Sequence, residues 1–227
     1  MTTSVLPDRA TVGHARAAGL SGIVFAALLV VALVLVRKGP GLADPDAAYA
    51  AFYASGNQGL LVTVGLYLVP FAGIACLWHM IATRTLVQTL SPEAPSALPL
   101  WLQLASGVLF VAMLFGGAAA VGAVALLGRF SDAPAPGPDV ARALASLGYS
   151  LVFVFGVRAA GMYMIATIGL ARRARLMSGP LAALGYLAAA FLLLSTTFHP
   201  SILLVFPAWV LLVSLLLLVR PPSGVSP

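Results

Sequence analysis

The sequence predicts an all-α integral membrane protein: a six-helix transmembrane bundle with a short interfacial helix between spans one and two. Three observations lead there. Hydrophobic residues make up 61% of the chain and charged residues only 8%, whereas a soluble domain carries about 25% charged residues to cover its surface. The apolar residues fall into six runs, at roughly 17–36, 58–80, 99–127, 147–171, 180–197 and 201–219, each at or above the roughly 17 residues that cross hydrocarbon as a helix. Lys and Arg stand at the ends of these runs and not along one face. The net charge of +6 therefore reflects membrane topology and not a nucleic-acid partner. All 227 residues read as a single polytopic domain, 1–227. Its expected partners are membrane lipids, with a partner membrane subunit or a homo-oligomer left open.

Residues 1–16 are polar and mixed, a short arm ahead of the first span. Ala17 to Val36 is long enough for about 30 Å of helix. A signal peptide would have an apolar core of about 7–15 residues and a small-residue cleavage site, whereas this run is longer and ends in Arg37-Lys38. It is predicted to stay as a span. Gly39-Pro40-Gly41 then breaks the helix, and Asp44-Pro45-Asp46 starts the next, with Asp44 as N-cap and Pro45 at the first helical position. Tyr49, Phe52 and Tyr53 share one side of that short helix, as suits an interfacial segment.

Pro70 lies near the middle of the second span and predicts a kink, because it removes a backbone donor and crowds the preceding turn. Trp78 and His79 are expected at the far interface, with Arg84 closing the span. The third span centres on Gly116–Ala123 and contains the small-residue pairs Gly116/Ala120 and Ala118/Gly122, which let helix backbones approach closely in lipid. Pro134, Pro136 and Pro138 make a loop before span four. Ser178-Gly179-Pro180 starts span five, and His199-Pro200 turns the chain into span six, where Pro207 predicts a second kink. Phe71-Ala72-Gly73 and Arg84 match Ala159-Ala160-Gly161 and Arg172 at a constant offset of 88 residues, a faint two-helix repeat.

Orientation follows from the basic residues. With the N-terminus cytoplasmic, Arg9, Arg16, Arg84, Arg172, Arg173, Arg175 and Arg220 lie inside, against Arg37, Lys38, Arg129 and Arg142 outside. The excess predicts a cell-membrane protein with both termini cytoplasmic.

Catalysis needs a nucleophile with its base, a metal cluster or paired carboxylates. No Asp or Glu falls in any apolar run, His14, His79 and His199 are scattered, and Cys76 is alone. An enzyme is disfavoured, no metal or cofactor is expected, and Cys76 reads as a small buried hydrophobe. Arg158 is the exception. It falls near the middle of span four, where an arginine costs roughly 2.5–3.5 kcal/mol on insertion scales.

At about 100° per residue, Tyr149, Gly156, Ala160, Tyr163 and Thr167 form one small, hydroxyl-bearing stripe. Together with Gly116, Ala120 and Gly122 on span three, the residues Gly156, Ala160 and Tyr163 are the predicted helix-packing set. Arg158 points the other way, beside Phe155, Gly161 and Met162, the candidate ligand-binding set. Span four is accordingly predicted to be the central helix. Three readings of Arg158 stand side by side: satisfaction by backbone carbonyls freed at a kink, pairing with an anion or anionic lipid head group, or pairing with an acid on a partner's helix. The expected function is a binding or transport-like membrane protein; the alternative is an accessory or assembly subunit.

Overall fold

A computed structural model describes residues 9–91, 95–195 and 199–219. Asp8, Glu93, the predicted end of span five at Thr197 and the tail from Arg220 lie outside them. The described residues form seven helices and no strand: α1 Arg9–Val36, α2 Asp46–Ala54, α3 Gly59–Leu90, α4 Ala97–Phe130, α5 Pro138–Arg173, α6 Gly179–Leu194 and α7 Ile202–Val219. The protein is a helical membrane bundle. Five helices, α1, α3, α4, α5 and α7, are long and apolar enough to cross a membrane. The fifth predicted span is shorter, because α6 stops after 16 residues and Ser195 turns to an extended conformation. The N-terminal arm also differs. Its second half is helix, since Thr11, Ala15 and Ala18 continue the buried face of α1 downward.

The end of the bundle that carries α2 is called upper below, and the opposite end lower. Successive long helices alternate in direction. α1 lies against α3 and α7, α4 joins α3 to α5, and α6 packs on α5. α7 leans on α1 and only lightly on α5 and α6. That uneven docking leaves room between α7 and α5 at the upper end. Lower down the gap closes on an aromatic cluster: Phe206 lies 4.7 Å from Phe110 and 5.6 Å from Phe25, centroid to centroid. Among the five long helices α5 has the most buried apolar window, which agrees with its expected central place.

Two helices contain a π turn. In α3 it spans Val64–Leu68, and the Val69 N–H reaches back to the Val64 carbonyl. Pro70 follows at once, so the extra residue absorbs the ring that a regular helix would have to bend around. In α5 the π turn spans Ser150–Gly156, with the Val157 N–H on the Val152 carbonyl; no proline announces it. Each turn ends five residues before a glycine, Gly73 and Gly161. At each glycine the next helix in the chain crosses closely. A Cβ on Gly73 would strike Phe115 of α4, and one on Gly161 would lie 3.0 Å from the Ala189 carbonyl of α6. The repeat motif predicted from residues 71–73 and 159–161 thus coincides with a shared helix geometry.

α2 closes the upper end. Its Tyr49 and Phe52 face into the bundle and are buried. The Tyr49 hydroxyl donates to the Gly41 carbonyl at 3.0 Å. Arg142, on the first turns of α5, sits over the Tyr49 ring at 4.9 Å and pairs with Asp46 at 2.7 Å. Asp44 does not cap α2 as expected; its carboxylate accepts from the Gly41 N–H at 2.8 Å and folds the loop back on itself. Pro45 takes the N-cap position instead.

Candidate functional site

Beside α7 and beneath the α1–α2 loop is a cavity of about 530 Å³. Its walls are apolar and come from α1, α3, α4, α5 and α7, among them Leu33, Val64, Leu114, Val152, Phe153 and Leu203. Both π turns contribute: Val64 from the one in α3, Val152 and Phe153 from the one in α5. Gly117, Ala118, Gly122 and Gly148 line it with little more than backbone. Three apolar lining residues are exposed, Val30 (38%) and Val34 (54%) on α1 and Leu204 (42%) on α7. The mouth therefore opens sideways between α1 and α7. Arg37, Gly39, Gly41 and Asp44 form a polar rim above it. A small satellite space of about 20 Å³ continues downward along Leu29, Leu33, Leu114, Val152 and Leu203, and meets Phe110 and Phe206. Size and lining fit a small-molecule or acyl-chain site, which typically measures about 300–1,000 Å³ with few polar groups.

Arg158 does not line this cavity. Its Nη1 donates to the Val154 carbonyl at 2.6 Å and its Nη2 to the Ser195 carbonyl at 3.3 Å. Val154 belongs to the π turn, and Ser195 is the C-cap of α6. The guanidinium thus meets two carbonyls at helix irregularities, where regular ladder bonding ends. The C-terminal end of α6 adds the negative pole of that helix. Because α6 is short, this end reaches only the level of Arg158. Of the residues expected beside Arg158, Phe155 is 56% exposed on the outer side of the bundle and Met162 is half-buried. Gly161 serves the α5–α6 crossing. Neither the cavity nor its satellite is lined by Arg158, Phe155, Gly161 or Met162.

The residues of the expected helix-packing stripe lie toward the interior of the bundle. Gly156, Ala160, Tyr163 and Thr167 are buried, and Tyr149 is half-buried. Tyr163 packs edge-on against Phe206 at 5.8 Å and Trp209 at 6.3 Å. On α4, Ala120 and Gly122 are buried, while Gly116 is half-buried with Leu151 as its nearest side chain. The closest approach to a backbone atom is made by glycines outside the predicted set. A Cβ on Gly148 would lie 2.7 Å from the Gly117 carbonyl, and one on Gly117 would strike Val152.

The lower half holds buried polar groups. His79 is not interfacial but 0% exposed. α3 continues to Leu90, so the residue beside the exposed Trp78 turns inward at mid-helix. Its Nδ1 lies 2.8 Å from the Ala18 carbonyl, which must accept; the neutral ring then carries its proton there and leaves Nε2 as an acceptor. Ser214 of α7 approaches the same glycine, Gly22, that His79 does. On the other side of α3, the Gln103 amide donates to Thr167 Oγ1 at 3.1 Å.

Among the described residues no group of three or more His, Cys, Asp or Glu side chains gathers at one place. Cys76 is fully buried in the core. In comparisons with known proteins, the chain matches no family model, no curated protein and no solved structure.

Proposed function

We propose that the chain is a binding or transport-like protein of the cell membrane that takes one amphiphile, a lipid or lipid-like molecule, in the upper cavity. One observation carries this reading: an apolar space of about 530 Å³ that opens sideways between α1 and α7 under a polar rim. A lateral mouth suits a ligand arriving from the bilayer with its chain leading. Arg37 on the rim is the cation placed for an anionic head group. Arg158 then acts as a positioning residue, fixing the end of α6 and so the turn into α7. The accessory-subunit reading, in which Arg158 pairs with a partner's acid, has less support, since two of its nitrogens already meet carbonyls.

Native mass spectrometry of the gently extracted protein tests the proposal. The wild type should retain about one amphiphile per chain, and the cavity-filling variants Leu33→Trp and Val152→Trp should lose it while still folding. A wild type without ligand, or one whose ligand survives both fillings, would sink it.

The orientation proposed with it places the lower end in the cytoplasm, on the basic-residue asymmetry. In a Cys76→Ala background, cysteines at Thr3, Ser91 and Ser223 should be shielded from an impermeant thiol reagent in intact cells, and one at Ser131 should label. Labelling at Thr3 with protection at Ser131 inverts the topology.

A further inference from the structure

Below the aromatic cluster, α3, α4 and α5 bring together polar side chains with too few partners. Thr83, Gln103, Tyr163 and Thr167 are 4%, 1%, 0% and 1% exposed. Their grouping follows from the helix register. Met80 of α3 faces Gly107 of α4, and Arg84 donates to the Leu100 carbonyl, so Thr83 lies at the level of Gln103. Tyr163 and Thr167 are one turn apart on α5, and the Tyr163 ring also faces Gly107. The only hydrogen bond joining these side chains is the one from Gln103 to Thr167. The Tyr163 hydroxyl lies beside Thr167 and Gln103 without aligning on either. Three atoms are left without a partner among the described residues: Thr83 Oγ1, Gln103 Oε1 and Tyr163 OH.

Buried side-chain polar atoms are paired in the large majority of cases, and three orphans from three neighbouring helices at one level need a common cause. Their chemistry states what would satisfy them. Tyr163 and Thr83 can donate, Thr83 can also accept, and the free amide oxygen of Gln103 only accepts. The set mixes donors with an acceptor-only oxygen, so the group that matches all three both donates and accepts. We infer that this cluster is an internal binding site for an uncharged hydroxyl group that donates and accepts at once: a water molecule, or the hydroxyl of a small alcohol or polyol. The inference stands apart from the amphiphile cavity, which lies above Phe110 and Phe206 and shares none of these residues.

The protein carries its own reporter. Cys76 is the single cysteine of the chain, is fully buried, and shares the buried face of α3 with Met80 and Thr83. Its S–H stretch is therefore one infrared band, and its replacement by S–D in heavy water requires exchangeable water nearby. The experiment compares wild type with Thr83→Val/Gln103→Leu/Tyr163→Phe in detergent, alongside native mass spectrometry. Tyr163→Phe alone, which keeps the ring and its packing, is the fallback if the triple variant does not fold.

Fast exchange in wild type, slowed roughly tenfold or more in the variant, would assign the site to water. Slow exchange in wild type together with a discrete small adduct that the variant loses would assign it to a ligand hydroxyl. Equal exchange in both proteins, fast or slow, with no adduct lost, would overturn the inference. The amphiphile proposal fails separately, by the Leu33→Trp and Val152→Trp variants.

Discussion

Arg158 Nη2 donates to the Ser195 carbonyl at 3.3 Å, across 37 residues of chain, and ties α5 to the far end of α6. The same guanidinium reaches the Val154 carbonyl. A cation that an apolar helix should resist is thereby placed against one helix end and one helix defect.

Arg158→Met should therefore destabilise the protein by about 1–2 kcal/mol, the sum of a membrane hydrogen bond and the helix-end attraction. The loss should be local first: hydrogen exchange should rise at the end of α6 and the start of α7 before the rest. Arg158→Lys should recover part of it, because an ammonium keeps the charge but cannot span both carbonyls with a planar fork. A uniform rise in exchange over the whole chain would contradict this assignment.

Close approach of α4 and α5 requires glycine at Gly148. Gly148→Ala should cost about 1–3 kcal/mol, since the added methyl meets the Gly117 carbonyl as well as the stiff Val121 side chain. Gly13 is the control. It is exposed on α1 with nothing within 4 Å of its added Cβ, so Gly13→Ala should be neutral or stabilise by up to about 1 kcal/mol. Thermal unfolding in one detergent reads both. Equal effects would mean that the crossing is not tight.

The α2 closure should respond to alkali. Burial holds the Tyr49 hydroxyl above the usual tyrosine value of 10.0, although the Arg142 charge pulls it down. A raised value favours the neutral hydroxyl in the fold. Its contribution is complete below pH 10 and is lost as pH rises through the folded value. Exchange protection of Asp46–Ala54 should persist to about pH 10 and fall above it, and Tyr49→Phe should remove that step. Arg142→Ala should raise exchange in α2 at every pH and leave the global melting temperature nearly unchanged.

Membrane class and most of the helices are legible in the sequence, because hydrocarbon imposes a length and an apolar alphabet that nothing else mimics. Where an apolar run ends is less legible. Ser195 sits in a run that reads as continuous, yet the helix stops there. Faces are harder still. Trp78 and His79 look like one interfacial pair, but a step of about 100° sends the tryptophan outward and the histidine into the core. In the third span the small residues are so dense that helix phase cannot tell Gly116 from Gly117, and the unannounced π turn of α5 shifts the phase of its partner. The cavity is not legible, because its walls come from five helices and no local pattern brings them together. The partner of Arg158 lies on another helix, and no local pattern points to it.

The shortness of α6 also acts outward, on the lipid. Its 16 residues make about 24 Å of helix, some 6 Å less than a typical hydrocarbon layer. If α6 crosses the bilayer with its neighbours, the bilayer beside it has to thin, or water and head groups have to dip to meet the helix end, at a cost of fractions of a kcal/mol per Å. Either response brings the polar interface down to Arg158. The membrane deformation and the buried cation then offset each other, and lipids of different thickness should set how tightly this corner of the protein is held.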